Sequence, residues 1–392
     1  ILLLVTFMAL LPVWAGEKAA ESRNSFGLDL FKKLALEKKE ANLLISPFSI
    51  STALGMTYNG ARRDTKKAMA SVLGFSDASN QKINDEAKAI LTSMGKVGGN
   101  TRLEVANALF ANQNVSFKRD FLDTNKNFYD ATARSLDFNS PQALGTINSF
   151  VSEKTHDKIP TIIDEIAPDA ILYLINAIYF KGTWEHEFKK SATRDEDFHL
   201  FSGKTASVKM MHMHREDFSY LENAEFQAIN LFYKDKRLSM FVFLPSKSSS
   251  LDKFEADLTV EKLEGWCKRF GRREGSLAMP RFKIEDKMKL KEPLSSLGMA
   301  IAFNEGKADF KDMADIEENI FISQVLHKTF MEVNEEGTEA AAVTAVEMRA
   351  TSAMVNPVEP FNMVVDRPYF LALRDNETGS ILFLGHVTKP GS

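Results

Sequence analysis

The hydrophobic rhythm of the chain changes along its length. In "NSFGLDLFKKLALEKK", Phe26, Leu30, Leu34 and Leu36 recur at helical spacing with lysines between them, which predicts an amphipathic helix. A second helix is predicted in "SPFSISTALGMTYNGARRDTKKAMASVLGF". There Ser46 and Pro47 form a start signal, Ile50, Leu54 and Tyr58 share one side, and Gly60 marks a break. Further on the helical period is lost. Ala170 to Trp184 ("AILYLINAIYFKGTW"), Ser239 to Pro245 and Gly379 to Val387 are apolar almost without interruption, as strands covered on both faces are. These strands lie far apart in sequence, so their sheets must be assembled from non-local segments. No linker, repeat or shift in composition divides the chain, which predicts one large α+β domain.

A third rhythm belongs to "GTEAAAVTAVEMRATSAMVNPVEP". Its alanines and glutamates favour a helix, yet Val343, Val346 and Met348 define no helical face. At period two the stretch makes sense. Thr338, Ala340, Ala342, Thr344, Val346, Met348 and Ala350 fall on one side, uncharged and mostly small. Glu339, Glu347 and Arg349 fall on the other. Gly337 opens the stretch as a flexible joint, and Asn356, Pro357 and Pro360 close it as loop. It is a loop that carries the pattern of a strand.

Composition narrows the class. With 392 residues and 44% hydrophobic content, the chain can bury one large core or two modest ones. A net charge of −4 supplies no global field for nucleic acid. Cys267 is the single cysteine, which excludes an intrachain disulfide framework, and its place beside Trp266 predicts a buried structural thiol. The apolar run Ile1 to Trp14, with Val13 and Ala15 suiting cleavage after Ala15, predicts a signal peptide remnant over 1–15 ahead of a single domain over 16–392. The mature protein is therefore expected to be secreted, extracellular or periplasmic, and away from membranes once processed.

Catalytic signatures are missing. Gly-x-Ser-x-Gly, His-Glu-x-x-His and phosphate-loop patterns are absent, as is a Gly-x-Gly-x-x-Gly after a strand, so neither an enzyme nor a cofactor is expected. His212 and His214 share a face if extended, but no third ligand stands nearby to complete a zinc site. Lys268, Arg269, Arg272 and Arg273 are expected on a solvated helix face rather than against a polyanion.

Together with this loop, "EVNEEGTEAAAVTAV" resembles the serpin family, and the likeness extends from about Ser25 to Pro390. "NLLISPFSISTALGMTYNGARRDT", "LINAIYFKGTWEHEF", "DEDFHLFSGKTASVKMMHM" and "DRPYFLALRDNETGSILFLGHVTKP" match serpin segments in family order. The resemblance implies three β-sheets wrapped by about eight or nine helices, with an exposed reactive-centre loop over about 337–362. It also implies a suicide mechanism. A serine protease attacks the loop and forms an acyl-enzyme, and the cut loop fills a vacancy in the main sheet as a new strand. The uncut fold is then metastable, held by a kinetic barrier.

Residue by residue, the resemblance assigns the hinge to Glu335, Glu336, Gly337, Thr338, Glu339, Ala340, Ala341 and Ala342. The reactive bond falls between Thr351 and Ser352, with Met348, Arg349 and Ala350 as neighbouring subsites, and favours elastase-like or subtilisin-like proteases. Cleavage at Arg349 would instead favour trypsin-like ones. A non-inhibitory carrier, chaperone or storage role is the other reading. Ser46, Ser49, Asn176 and His327 match the family's shutter, where polar groups bond across the opening sheet. Trp184, Arg281 and Glu335 match its breach, where Arg281 and Glu335 are expected to pair. A monomer is expected. The segment "ASNQKINDEAKAILTSMGKVGG" lacks a dense positive cluster, which argues against heparin activation.

Overall fold

The computed structural model describes residues 11–76, 78–94, 101–315, 319–338 and 359–391. Its first sheet is built around β4 (Leu172–Thr183), the strand expected from the unbroken apolar run, which is buried on both faces except at Lys181. On one side β4 pairs antiparallel with β2 (Arg102–Asn112), which carries β3 (Thr132–Leu136) as a parallel edge. On the other side β4 pairs parallel with β11 (Gln324–Asn334), from Tyr173↔Gln324 to Tyr179↔Phe330. β10 (Phe282–Lys289) flanks β11 antiparallel. Beyond Phe330 the two central strands part, and the two-residue β12 (Gly337–Thr338) lies between them, antiparallel to both.

The second network holds nine strands. β1 (Leu43–Ile45), β15 (Ile381–Val387), β14 (Tyr369–Asp375), β8 (Leu238–Pro245), β7 (Phe226–Phe232) and β6 (Thr205–Glu222) follow one another, then β9 (Gly271–Pro280) and β13 (Phe361–Val364). β5 (Arg194–His199) pairs with the first half of β6, and β7 with the second half. A register shift between Arg215 and Phe218 separates the halves, so this 18-residue strand makes two of the three expected sheets continuous.

Nine α-helices surround the sheets among the described residues. α1 (Leu11–Glu37) buries Phe26, Leu30, Phe31 and Leu34 as its spacing required. Leu36, assigned to the same stripe, is instead 67% exposed, because two residues past Leu34 lies about 200° round the helix. α2 (Pro47–Tyr58) starts as expected, with the Ser46 hydroxyl accepting from Ser49 N at 3.1 Å, and all of its residues are buried. α3 (Arg63–Leu73), α4 (Asn80–Met94) and α5 (Arg119–Tyr129) complete that flank. α6 (Pro141–Lys154) covers the outer face of the first sheet through Ile147 and Val151, against Ala108, Ile175 and Leu326. α7 (Leu251–Asp257) and α8 (Val260–Cys267) back the second network, and α9 (Lys291–Leu294) follows β10. The inner faces of both sheets share a core in which Ile178, Phe180, Met331 and Val333 meet Met240, Val242 and Leu371. The architecture is α+β, and it places Glu335, Glu336, Gly337 and Thr338 at one end of the β4–β11 seam.

Candidate functional site: a strand seam and its hinge

After β11 the chain turns at Glu335 and Glu336 and returns as β12. Gly337 has φ +146°, and a Cβ there would lie 2.1 Å from Gly182 O and 2.7 Å from Thr183 Cα. The glycine is thus demanded by close backbone approach as well as by conformation. Thr338 is fully buried between the parted strands, and its hydroxyl shares a 2.8 Å hydrogen bond with Tyr233. Tyr233 stacks on Trp184 with ring centroids 4.5 Å apart. Trp184 in turn grips the turn, donating from Nε1 to Asn334 O at 3.1 Å and from its backbone N to Glu336 O at 2.9 Å.

The two turn glutamates are held separately. Arg281 Nε donates to Glu335 Oε1 at 2.8 Å, and the Thr193 hydroxyl donates to the same oxygen. Burial raises the Glu335 pKa, but its bonds to Arg281 and Thr193 outweigh that cost and hold the carboxyl below the usual range. The expected Arg281–Glu335 pair is present. With 42% of the Arg281 side chain exposed, it contributes about 1 kcal/mol at most. Glu336 pairs with Lys190, while its Oε2 is buried without a hydrogen-bond partner.

Farther along the seam, Asn176 of β4 stands directly across from His327 of β11. His327 Nδ1 donates to Asn176 Oδ1 at 2.5 Å, and its Nε2 accepts from Ser46 N at 3.1 Å. Both contacts are satisfied by the neutral imidazole, and burial pushes its pKa down to about 3. Asn176 Nδ2 donates to Asn107 Oδ1 at 2.7 Å and to the backbone and hydroxyl oxygens of Ser49. Ser46, Ser49, Asn176 and His327 therefore converge in one buried cluster that ties α2 to both central strands. The seam itself is closed. Between Tyr173 and Tyr179 the strands are bonded directly, so the vacancy that the family resemblance implies is not there: a strand entering at this place would displace an interface.

Of the residues singled out in the sequence, Glu335, Glu336, Gly337, Thr338, Trp184 and Arg281 gather at the open end of the seam, and the cluster of four sits near its middle. Glu339, Ala340, Ala341, Ala342, Met348, Arg349, Ala350, Thr351 and Ser352 lie outside the described residues. Sequence reasoning missed Asn107, Tyr233, Thr193 and Lys190. Only Asn107 carried a signal, a lone amide inside the apolar run "VANALF".

The other candidates resolve simply. His212 contacts Glu196 at 3.0 Å and His214 contacts Ser276 at 3.1 Å. The basic cluster is not one helix face: Lys268 caps α8, whereas Arg272 and Arg273 lie in β9 and bond Asp217 and Glu222 on β6. Cys267 is partly buried rather than fully so, and burial raises its thiol pKa to about 11.

A family model described as Serpin (serine protease inhibitor) matches residues 21–390. The leukocyte elastase inhibitor of Equus caballus is 36% identical over 385 residues, covering 95% of this chain and 100% of that protein. Its counterpart in Bos taurus is 37% identical with the same coverage. Human Serpin B4 is 36% identical over 392 residues, with 95% and 99% covered. Among solved structures, the thermophilic serpin tengpin in its native state has a TM-score of 0.87 at 32% identity, covering 95% of this chain and 94% of its own. Human thyroxine-binding globulin gives 0.88 at 28% identity, with 96% and 100% covered.

These relatives overturn the exported location expected from residues 1–15, since leukocyte elastase inhibitors are intracellular proteins. In the structure Leu11–Glu37 is one helix that passes through Ala15 without a break.

Proposed function

The chain belongs to the serpin family, and from that premise we propose that it is a suicide inhibitor of elastase-like or subtilisin-like serine proteases. The protease serine attacks the Thr351 carbonyl, the Ser352 amine leaves, and the acyl-enzyme stays attached to the upstream strand. Thr351 occupies the specificity pocket, with Met348, Arg349 and Ala350 beside it. The freed strand then enters the β4–β11 seam.

One observation carries this reading: β12 already lies antiparallel between both central strands, at Gly337↔Thr183, Thr338↔Gly182 and Thr338↔Val333. Continuing that register sets Thr344 opposite both Asn176 and His327. A hydroxyl thus arrives where the His327–Asn176 bond must break. The same register sets Met348 opposite Leu172, the first residue of β4, so Thr351 passes beyond the foot of the sheet. Thr338 faces the core beside Tyr233, and at period two Ala340, Ala342, Thr344 and Val346 follow it inward. Energetically, one parallel interface is exchanged for two antiparallel ones, which are slightly more stable per residue.

The test is incubation with elastase and with subtilisin, followed by denaturing electrophoresis and N-terminal sequencing of the released fragment. An SDS-resistant adduct and a fragment beginning at Ser352 are expected. Clean clipping without adduct would overturn the inhibitory reading. A fragment beginning at Ala350 would move the reactive bond to Arg349.

A further inference from the structure

At the foot of the seam, opposite the hinge, lies a cleft of about 250 Å³ that the inhibitory mechanism does not use. One wall is the segment joining α6 to β4, which presents Glu165 and Asp169. The facing wall is the end of β10 and the start of α9, which presents Lys289 and Lys291. None of these four side chains has an ion-pair partner among the described residues. Their neighbours do pair, Lys287 with Asp164 and Lys328 with Glu285. Two acids and two lysines thus face one gap without closing it, over an apolar floor that includes Phe321 and Leu326.

The acidic wall is held in place. Asn148 Oδ1 accepts from Ile162 N and Ile163 N at 2.8 and 3.1 Å, and Ala167 N donates to the Tyr173 hydroxyl at 2.9 Å. We propose that the cleft binds a small zwitterion of dipeptide size. Its carboxylate meets Lys289 and Lys291, its ammonium meets Glu165 and Asp169, and an apolar side chain covers Phe321 and Leu326. The volume falls just below the roughly 300–1,000 Å³ of ordinary small-molecule sites, which suits a ligand of that size. Opposite charges at the two ends confer specificity, because a ligand lacking either charge leaves one wall unanswered.

The cleft straddles the seam. Tyr173 and Gln324 in its lining form the first parallel rung, and Ser323 Oγ beside them accepts from Ile171 N at 2.9 Å. A ligand bridging the walls ties together two strands that insertion must separate, so it binds the closed sheet better than the expanded one. Bound ligand therefore slows insertion and lets more protease escape by hydrolysis. This consequence rests on the proposed inhibitory function; the binding does not.

The probe is L-alanyl-L-phenylalanine, titrated calorimetrically into the full chain beside its N-acetyl and C-terminal amide forms. Saturable binding is expected, weakened at least about tenfold for either blocked form and in either double variant, E165Q/D169N or K289A/K291A. Unchanged melting of these surface variants confirms that they fold. Absence of binding, or equal affinity for the blocked forms or the variants, overturns the site. In a second arm, saturating dipeptide is expected to raise the number of inhibitor molecules consumed per elastase. Binding without that rise overturns the coupling to insertion. Failure to form any adduct without dipeptide overturns the inhibitory reading instead and leaves the calorimetric result standing.

Discussion

β14 and β4 are both central strands with nearly every residue buried, yet their surroundings differ in kind. β14 is clasped antiparallel by β8 and β15, and its Phe370 packs against Phe31, Phe254 and Phe243 with ring centroids 5.5, 5.7 and 6.1 Å away. β4 meets β11 in parallel, with an imidazole and amides at the middle of the interface. Parting the first seam loses packing and backbone hydrogen bonds that no other partner restores. Parting the second breaks directional bonds that the proposed incoming strand would remake on both edges. Burial alone therefore does not distinguish a permanent interface from an exchangeable one; the chemistry of its midpoint and the direction of its strands do.

The largest test of that contrast is Thr338→Arg. Thr338 is fully buried against Tyr233, and a long cation there has no space. The SDS-resistant adduct should disappear while cleavage continues, and undiminished adduct would break the exchangeable-seam account. Phe243→Ala, in the ring cluster, should cost about 3–5 kcal/mol in denaturant unfolding of the uncut protein, leaving the partition between adduct and clipping unchanged.

A pH effect comes next. The unfolded imidazole of His327 takes up a proton near 6.5, whereas the folded one resists down to about 3. The unfolded state thus binds more protons within that window, so stability falls as pH drops through it, by up to about 1.4 kcal/mol per pH unit. Thermal melts from pH 7 to 4 should show this loss, and His327→Gln should flatten it. Thr344→Val should then lower the stability of the cleaved form by about 1–3 kcal/mol, by leaving the parted Asn176 and His327 without a new partner, and should leave the uncut form unchanged. Melting the two forms side by side measures this. Smallest is Tyr233→Phe, which removes the bond to Thr338 and should raise hydrogen exchange at β12 by an amount matching about 0.5–1.5 kcal/mol.

Legibility in the sequence followed the range of the determining interactions. The start of α2 could be read from Ser46 and Pro47, because a cap is made with the next few residues. Strand β4 could be read from its unbroken apolar run. Leu36 was misplaced because one apolar residue beyond a stripe looks like its continuation, although the helix has already turned it to solvent. Arg272 and Arg273 were misread because their partners, Asp217 and Glu222, are brought beside them only by β6–β9 pairing. Tyr233 is an ordinary core aromatic until Thr338, 105 positions away, is folded against it. The meeting of Ser46, Ser49, Asn176 and His327 came from the family likeness, since nothing local joins residues so far apart.

The two-residue strand at the parted end has a mechanical consequence. Seven rungs join β4 to β11, and His327–Asn176 is the fourth of them from either end. With a wedge already seated beyond the Tyr179–Phe330 rung, the rungs can yield in succession from that end like the teeth of a zip. The barrier is then set by the toughest single tooth and not by the sum of all seven, so a tight central clasp can keep the whole closure shut.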